Sequence, residues 1–243
     1  VGNKVAKPIL LEGLSRLEYR GYDSAGFALA SGDDFVIRRA VGPVDSLVSV
    51  SQSDGKTETR GIAHTRWATH GVPSEINAHP HRAGLIALVH NGIIENHADI
   101  KSKLQDLGAS FSSQTDTEVF AKLIENNRRL LTEQTGGRFE ELDLAKRKSI
   151  ILEALRTSMK EVDGHYAILF LVQGLEGFIF GAQSGAPLVA SRTEHGTILA
   201  SDIQAILGHE NKVSFVPMKT ILVAEGKGFE FLCGLVGFHF CDH

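Results

Sequence analysis

The chain has 243 residues, with 25 Lys and Arg against 29 Asp and Glu, a formal net charge of −4. Hydrophobic residues at 42% and charged residues at 22% give a composition that buries a core, which excludes a disordered or fibrous chain. No run of about 18 apolar residues occurs, which excludes a membrane-spanning helix, and the mild, dispersed acidity leaves no footprint for nucleic acid. Cys233 and Cys241 are the only cysteines, too few for a disulfide scaffold and suited to a reducing cytoplasm. No basic-then-apolar leader opens the sequence, although Val1 rather than Met leads it.

Leu10, Leu11, Leu14 and Leu17 fall at helical spacing, so Pro8 to Glu18 reads as a short helix with Pro8 in its first turn. Phe27 to Ala30 and Phe35 to Ile37 flank Ser31-Gly32-Asp33-Asp34, a hairpin pattern. Gly61 to His64 and Leu85 to Val89 read as strands separated by a long polar segment with Pro73 and Pro80. A connection of that length inside a compact fold is more often functional than passive. From Asp116 the pattern turns helical through Val119, Leu123, Ile124, Leu130 and Leu131. A charged stretch, Thr132 to Lys148, then leads to a second helix with Ile151, Leu155, Met159 and Val162 on its apolar side. Tyr166 to Val172 is nearly all apolar, the pattern of a strand buried on both faces. Short strands follow at Phe178 to Phe180, Leu188 to Ala190, Ile198 to Ala200, Val213 to Val216 and Ile221 to Ala224. Strands, then two helices, then strands predict an α+β fold with helices packed on two sheets. No linker interrupts the pattern, so residues 1–243 are expected to form one domain.

Six of the eleven histidines lie between His64 and His97. His79-Pro80-His81 has the look of a metal-ligand pair, but no Asp-His follows and no other pair has i, i+4 spacing on a helix, so no metal is expected. Arg66-Trp67-Ala68-Thr69-His70-Gly71 is more informative. Arginine grips a carboxylate in a planar fork and an adjacent indole keeps water from the pair; the alternative is a surface arginine stacked on tryptophan. Asn91-Gly92 after a strand is a strong hairpin signal. The other reading aims an amide and a backbone N–H at one spot, as an oxyanion hole requires. Asp116 either caps the helix it opens or meets a ligand ammonium group. Arg20 to Gly26 is a polar, glycine-bounded turn whose simpler reading is buried Arg–Asp pairing.

Taken together, Arg16 to Gly26 (RLEYRGYDSAG), Gly61 to Gly71 (GIAHTRWATHG), Asn77 to His81 (NAHPH), His90 to His97 (HNGIIENH) and Thr115 to Val119 (TDTEV) resemble one family. It is the glutaminase domain of the glutamine–fructose-6-phosphate aminotransferases (isomerizing), the glucosamine-6-phosphate synthases. The resemblance spans roughly residues 7 to 232; Gly185-Ala186-Pro187-Leu188 and Ser201-Asp202 also fit, with Gln183 where the family usually has arginine. It implies an N-terminal-nucleophile hydrolase fold, an αββα sandwich of two mostly antiparallel sheets between helical layers, and no cofactor. It implies hydrolysis of L-glutamine to supply ammonia for glucosamine-6-phosphate synthesis from fructose-6-phosphate on a separate isomerase domain, through which the family's chains would pair as a homodimer. By the same resemblance Arg66 holds the α-carboxylate, with Trp67, Thr69 and His70 in a closing loop, and Asp116 takes the α-ammonium. Asn91 and Gly92 form the oxyanion hole, and Arg20 with Gly21 support the nucleophile.

That nucleophile is an N-terminal cysteine whose own α-amine, of reference pKa about 8, acts as base. The family's opening hexapeptide is missing at Val1-Gly2-Asn3, yet Cys233-Gly234-Leu235-Val236-Gly237-Phe238 matches it near the other end. Either Phe229 to Phe240 is an ordinary closing hairpin turning at Cys233-Gly234 and the true N-terminus was not included, or the nucleophile strand has moved and Cys233 is the nucleophile. An internal Cys233 has no free amine, so turnover would require breaking the Leu232–Cys233 bond. A third reading keeps the pocket without catalysis, as a glutamine sensor or regulatory module.

Overall fold

The computed structural model describes residues 1–67, 72–210 and 212–233. The helix expected at Pro8 is α1 (Ala6–Leu17), and the first hairpin is β1 (Ser24–Ser31) with β2 (Asp34–Val41). α2 (Val44–Val50) and β3 (Gly61–Arg66) follow, then β4 (His81–Ala83), β5 (Ile86–Ile94) and α3 (His97–Asp106). The two long helices are α4 (Asp116–Glu133) and α5 (Leu144–Glu161). The chain continues through β6 (Gly164–Val172), β7 (Phe178–Ser184), β8 (Val189–Thr193), β9 (Gly196–Ala200), β10 (Ser214–Phe215), β11 (Thr220–Glu225) and β12 (Gly228–Cys233).

Each long helix starts where a side chain satisfies a backbone N–H that the first turn leaves open. Thr115 accepts from the Glu118 N–H at 3.3 Å to open α4, and Asp143 accepts from the Lys146 N–H at 2.8 Å to open α5. The buried stripe of α4 (Val119, Phe120, Leu123, Ile124) meets that of α5 (Ile151, Ala154, Leu155, Met159) over one face of a six-stranded sheet, ordered β12-β11-β7-β6-β5-β4. Phe120, Phe170 and Phe180 are fully enclosed there, each contributing about 2–3 kcal/mol through the apolar area it removes from water.

The opposite face of that sheet, through Val89, Ala167, Leu171, Ile179 and Leu222, packs on Ala28 and Ile62 of a three-stranded sheet, β2-β1-β3, and on Ala190 of a second, β10-β8-β9. Residues of α1 and α2 cover the outer side of β1, with Leu14, Phe27, Leu29 and Leu47 buried between them. The order is helices, sheet, sheets, helices: the αββα arrangement the family resemblance implied.

The hairpin reading of Asn91-Gly92 is overturned, because β5 runs straight through both residues, paired with Ala167 and Tyr166 of β6. Gly92 stays in the ladder at φ 134°, and a β-carbon there would fall 1.9 Å from the His165 carbonyl oxygen. Glycine at this point answers to close strand approach, not to a turn. Two short helices were not read from the sequence: α2 is only 7 residues long, too short to establish a period, and α3 carries few apolar positions. α3 buries just Ile100 and Leu104.

Candidate active site

A cavity of about 650 Å³ opens between the six-stranded sheet, β3 and α1; Arg20, Arg66, Trp67, Asn91, Gly92 and Asp116 all line it. Six of the residues singled out from the sequence therefore share one space. Arg66 ends β3 with its side chain largely buried. Burial lowers its pKa, and the nearby charges of Asp116 and Asp23 act in the opposite sense. The guanidinium and the Asp116 carboxylate thus feel each other across the cavity.

Asp116 is held from two sides. Its Oδ2 accepts from the Ile94 N–H at 2.8 Å, and its Oδ1 accepts from the Thr117 hydroxyl at 3.4 Å. As the first residue of α4 it also sits where the helix dipole favours negative charge. β5 supplies more than that one donor. Glu95 N–H donates to Asp163 O and Gln173 N–H to Leu85 O, so the odd-numbered residues of β5 exchange bonds with β6. The alternation turns the N–H groups of His90, Gly92 and Ile94 to the other edge, beyond the short β4. Ile94 donates there to Asp116, and the Gly92 N–H lies between His90 and Ile94 on the cavity wall.

Trp67 is exposed and stands edge-on to Tyr22, with ring centroids 6.0 Å apart. Gly21 lies so close behind the Arg66–Trp67 backbone that a β-carbon on it would sit 3.0 Å from Arg66 C and Trp67 N. Arg20 donates to Asp202 Oδ2 at 3.0 Å, an oxygen that also accepts from the Tyr19 hydroxyl at 2.7 Å. The Arg–Asp pairing expected as the simple reading of this turn is real, but its partner is Asp202, 182 residues away. Thr69 and His70 lie outside the described residues.

Cys233 is not brought to this cavity in the described chain. It ends β12, paired with Thr220, which pairs with Gln183, then Ala167, then Asn91. Cys233 and Asn91 occupy one row of the sheet but are four strands apart, roughly 19 Å at the usual spacing. Phe229 to Cys233 pairs with β11 in a hairpin that turns at Gly226-Lys227, between Glu225 and Gly228, a different turn from the one that the ordinary reading of Phe229 to Phe240 puts at Cys233-Gly234. Gly234 onward lies outside the described residues. Gln183, in the place of the family's usual arginine, is buried and donates to Val216 O at 2.8 Å.

Sequence reasoning missed the polar support behind the site. His64, His79 and His81 lie in series, the first pair tilted and the second edge to face, with centroids 4.1 Å and 5.2 Å apart. The Thr117 hydroxyl shares hydrogen bonds with His79 Nε2 at 3.0 Å and His90 Nδ1 at 3.2 Å, and Thr115 with His81 Nε2 at 2.9 Å. Burial is the leading reason each of these imidazoles is held neutral. It lowers His64 and His81 to about 3, pushes His79 well below the ordinary range, and depresses His90 against the opposing pull of Asp116. Among the described residues no group of three or more His, Cys, Asp or Glu is arranged to hold a metal ion. Glu118 is also part of this support. Burial would raise its pKa, but hydrogen bonds from Ser112 and Ser113 outweigh that and keep it low. The TDTE run carried a signal for it, the spacing of a capping box, although the carboxylate reaches back past Thr115 to the Ser112 and Ser113 amides.

Residues 52–152 match the model of a glutamine amidotransferase domain family. The whole fold superposes on the glutamine phosphoribosylpyrophosphate amidotransferase of B. subtilis with a TM-score of 0.77 at 22% identity, covering 98% of this chain and 48% of that one. The chain thus shares the fold of that amidotransferase and, over residues 52–152, matches a glutamine amidotransferase domain. The chain is also similar to the glutamine–fructose-6-phosphate aminotransferases (isomerizing). It is 41% identical to the Caldanaerobacter subterraneus enzyme over 234 residues, 96% of this chain and 35% of that one. Against the Vibrio cholerae enzyme the figures are 44% over 208 residues, 85% and 31%. The chain thus spans about one third of the length of these relatives.

Proposed function

We propose that this domain binds L-glutamine and hydrolyses its side-chain amide, the ammonia serving glucosamine-6-phosphate formation from fructose-6-phosphate on an isomerase domain like that of its full-length relatives. The observation that carries the reading is the placement of Arg66 and Asp116 on one cavity with Gly92 between their elements. A free α-amino acid presents a carboxylate to a guanidinium and an ammonium group to a carboxylate, which fixes both ends of its backbone. The side-chain amide then extends toward the Asn91 amide and the Gly92 N–H, donors suited to an oxyanion. Trp67 is assigned to the side of the bound amino acid next to Arg66, and Thr69 and His70 to substrate binding.

Chemistry at the amide carbon calls for a thiolate. It attacks the carbonyl and the C=O electrons move to oxygen; they return as the C–N bond breaks, the nitrogen takes the proton that the thiol gave up and leaves as ammonia, and water then hydrolyses the thioester to glutamate and the free thiol. Cys233 is the candidate nucleophile, with Arg20 and Gly21 supporting it at the cavity's end. We place the protein in the cytoplasm, where glutamine and sugar phosphates are found, and assign any homodimer contact to the isomerase domain.

A second reading has its own support. Because Cys233 stands four strands from Asn91, the domain binds glutamine without turning it over and acts as a sensor. Calorimetric titration with glutamine, run beside an assay for released glutamate, tests both. Binding with product supports the enzyme, binding without product the sensor, and no binding removes both.

A further inference from the structure

The two threonines around Asp116 are used differently. Thr115 accepts from the Glu118 N–H at 3.3 Å and so serves the helix it precedes. Thr117 is buried one residue inside α4, and its hydroxyl makes no bond to that helix's backbone. Among the described residues its partners are all side chains: His79 Nε2 at 3.0 Å, His90 Nδ1 at 3.2 Å and Asp116 Oδ1 at 3.4 Å. A hydroxyl has one hydrogen and two lone pairs. Three partners therefore satisfy it only if two of them donate and one accepts. The carboxylate of Asp116 cannot donate, so the question is what the two imidazoles do.

His79 Nδ1 accepts from the His90 backbone N–H at 3.5 Å. Burial keeps this ring neutral, so its one hydrogen is on Nε2 and goes to Thr117. His90 Nδ1 stands 3.8 Å from Asp116 Oδ2. A hydrogen on that nitrogen is attracted by the carboxylate, whereas a bare lone pair is repelled by it. Both lone pairs of the Thr117 hydroxyl are then filled, and its hydrogen is left for the anion, the stronger acceptor. The same assignment leaves His90 Nε2 as a bare acceptor, buried and without a partner among the described residues.

We propose that Thr117 is a positioning residue for the ammonium site: it collects N–H bonds from His79 and His90 and turns its own hydrogen to Asp116 Oδ1. The proposal rests on the glutaminase reading for the ammonium group that Asp116 meets. With the Ile94 N–H on Oδ2, both carboxylate oxygens are held and rotation about the Cβ–Cγ bond is blocked. Their remaining acceptor capacity is open to a cation in the cavity that Asp116 lines. Neutral imidazoles are essential to this arrangement, because a charged His90 at 3.8 Å would cancel the charge that the ammonium group needs. Burial of His90 opposes that charge, against the pull of Asp116.

Two measurements on the full chain test this. Nitrogen-15 NMR of the imidazole rings reads the tautomers with no ligand present: His79 is expected as Nε2–H and His90 as Nδ1–H. His90 as Nε2–H would place the Thr117 hydrogen on His90, and His79 as Nδ1–H would remove a donor; either overturns the proposal. Calorimetry then compares L-glutamine with glutaramate, which keeps the carboxylate and the side-chain amide but lacks the α-amino group. Thr117→Val is expected to weaken glutamine roughly tenfold while leaving glutaramate within about twofold, and Thr117→Ser to restore glutamine. Equal weakening of both ligands, as a purely structural role would give, or no weakening of glutamine, overturns it. Where Thr117→Val does not fold, or a ligand does not bind the unmodified chain, the tautomers decide alone. Failure of the unmodified chain to bind glutamine removes the glutaminase reading, whereas the wrong tautomers remove the role of Thr117 and leave that reading standing.

Discussion

Ile94 N–H donates to Asp116 Oδ2 at 2.8 Å, which ties the first residue of α4 to the strand that carries Asn91 and Gly92. The two ends of the proposed substrate are therefore read by parts that move as one. One carboxylate oxygen is fixed by backbone, and the ammonium group is met by what remains of the charge.

Asp116→Asn keeps an oxygen that accepts from Ile94 and a residue that starts a helix, but removes the charge. A charge-assisted hydrogen bond contributes about 1.5–3 kcal/mol, so glutamine affinity is expected to fall about 10- to 100-fold with the melting temperature nearly unchanged. Titration calorimetry with thermal melts checks both halves. Unchanged affinity would remove Asp116 from the ammonium site.

Gly92→Ala is expected to be severe for a different reason. The new β-carbon would meet His165 O at 1.9 Å, and φ of 134° is strained for any L side chain. A loss of about 3 kcal/mol or more is expected, measured by urea denaturation. A variant as stable as the parent would mean that β5 and β6 separate at this point more easily than their register indicates.

Much of this was legible in the sequence, and what was not has a physical cause. The periodicity of Val119, Leu123 and Ile124 and the apolar run of Tyr166 to Val172 located α4 and β6, because deep burial imposes a strong pattern. Asn91-Gly92 misled on local grounds alone, since a turn signal is local whereas the need for glycine came from His165 on the neighbouring strand. The imidazole cluster was equally hidden. His64, His79, His81 and His90 come from three strands and the segment before β4, and only the sheet and Thr117 bring them together.

The buried histidines predict a direction for stability against pH. Their folded pKa values lie below the ordinary 6.5, with His64 and His81 at about 3. Above pH 6.5 these groups are neutral in both states and cost nothing. As pH falls from 6.5 toward 3 the unfolded chain takes up protons that the folded chain refuses, so stability declines through that window. Denaturation midpoints are expected to drop steadily from pH 7 to pH 5, with a smaller slope in His81→Gln. A flat profile over that range would show that the cluster titrates normally.

The last prediction concerns the bond before Cys233. Inside an intact chain its nitrogen is an amide with no basic lone pair, so even a thiol carried to the oxyanion site lacks the base that an N-terminal amine supplies. General-base assistance is typically worth about 10²- to 10⁴-fold. An uncut chain is therefore expected to bind glutamine yet release glutamate at no more than about 1% of the rate of a chain with a free Cys233 amine. Hydrolysis of the Leu232–Cys233 bond adds one water, leaving a carboxylate on Leu232 and an amine on Cys233. The intact mass of each sample, taken beside its glutamate release, follows that change. Activity should appear only with the cut species, and labelling by a glutamine-like electrophile should then fall on Cys233. Full turnover by a single uncut chain would show that the base comes from elsewhere in the site.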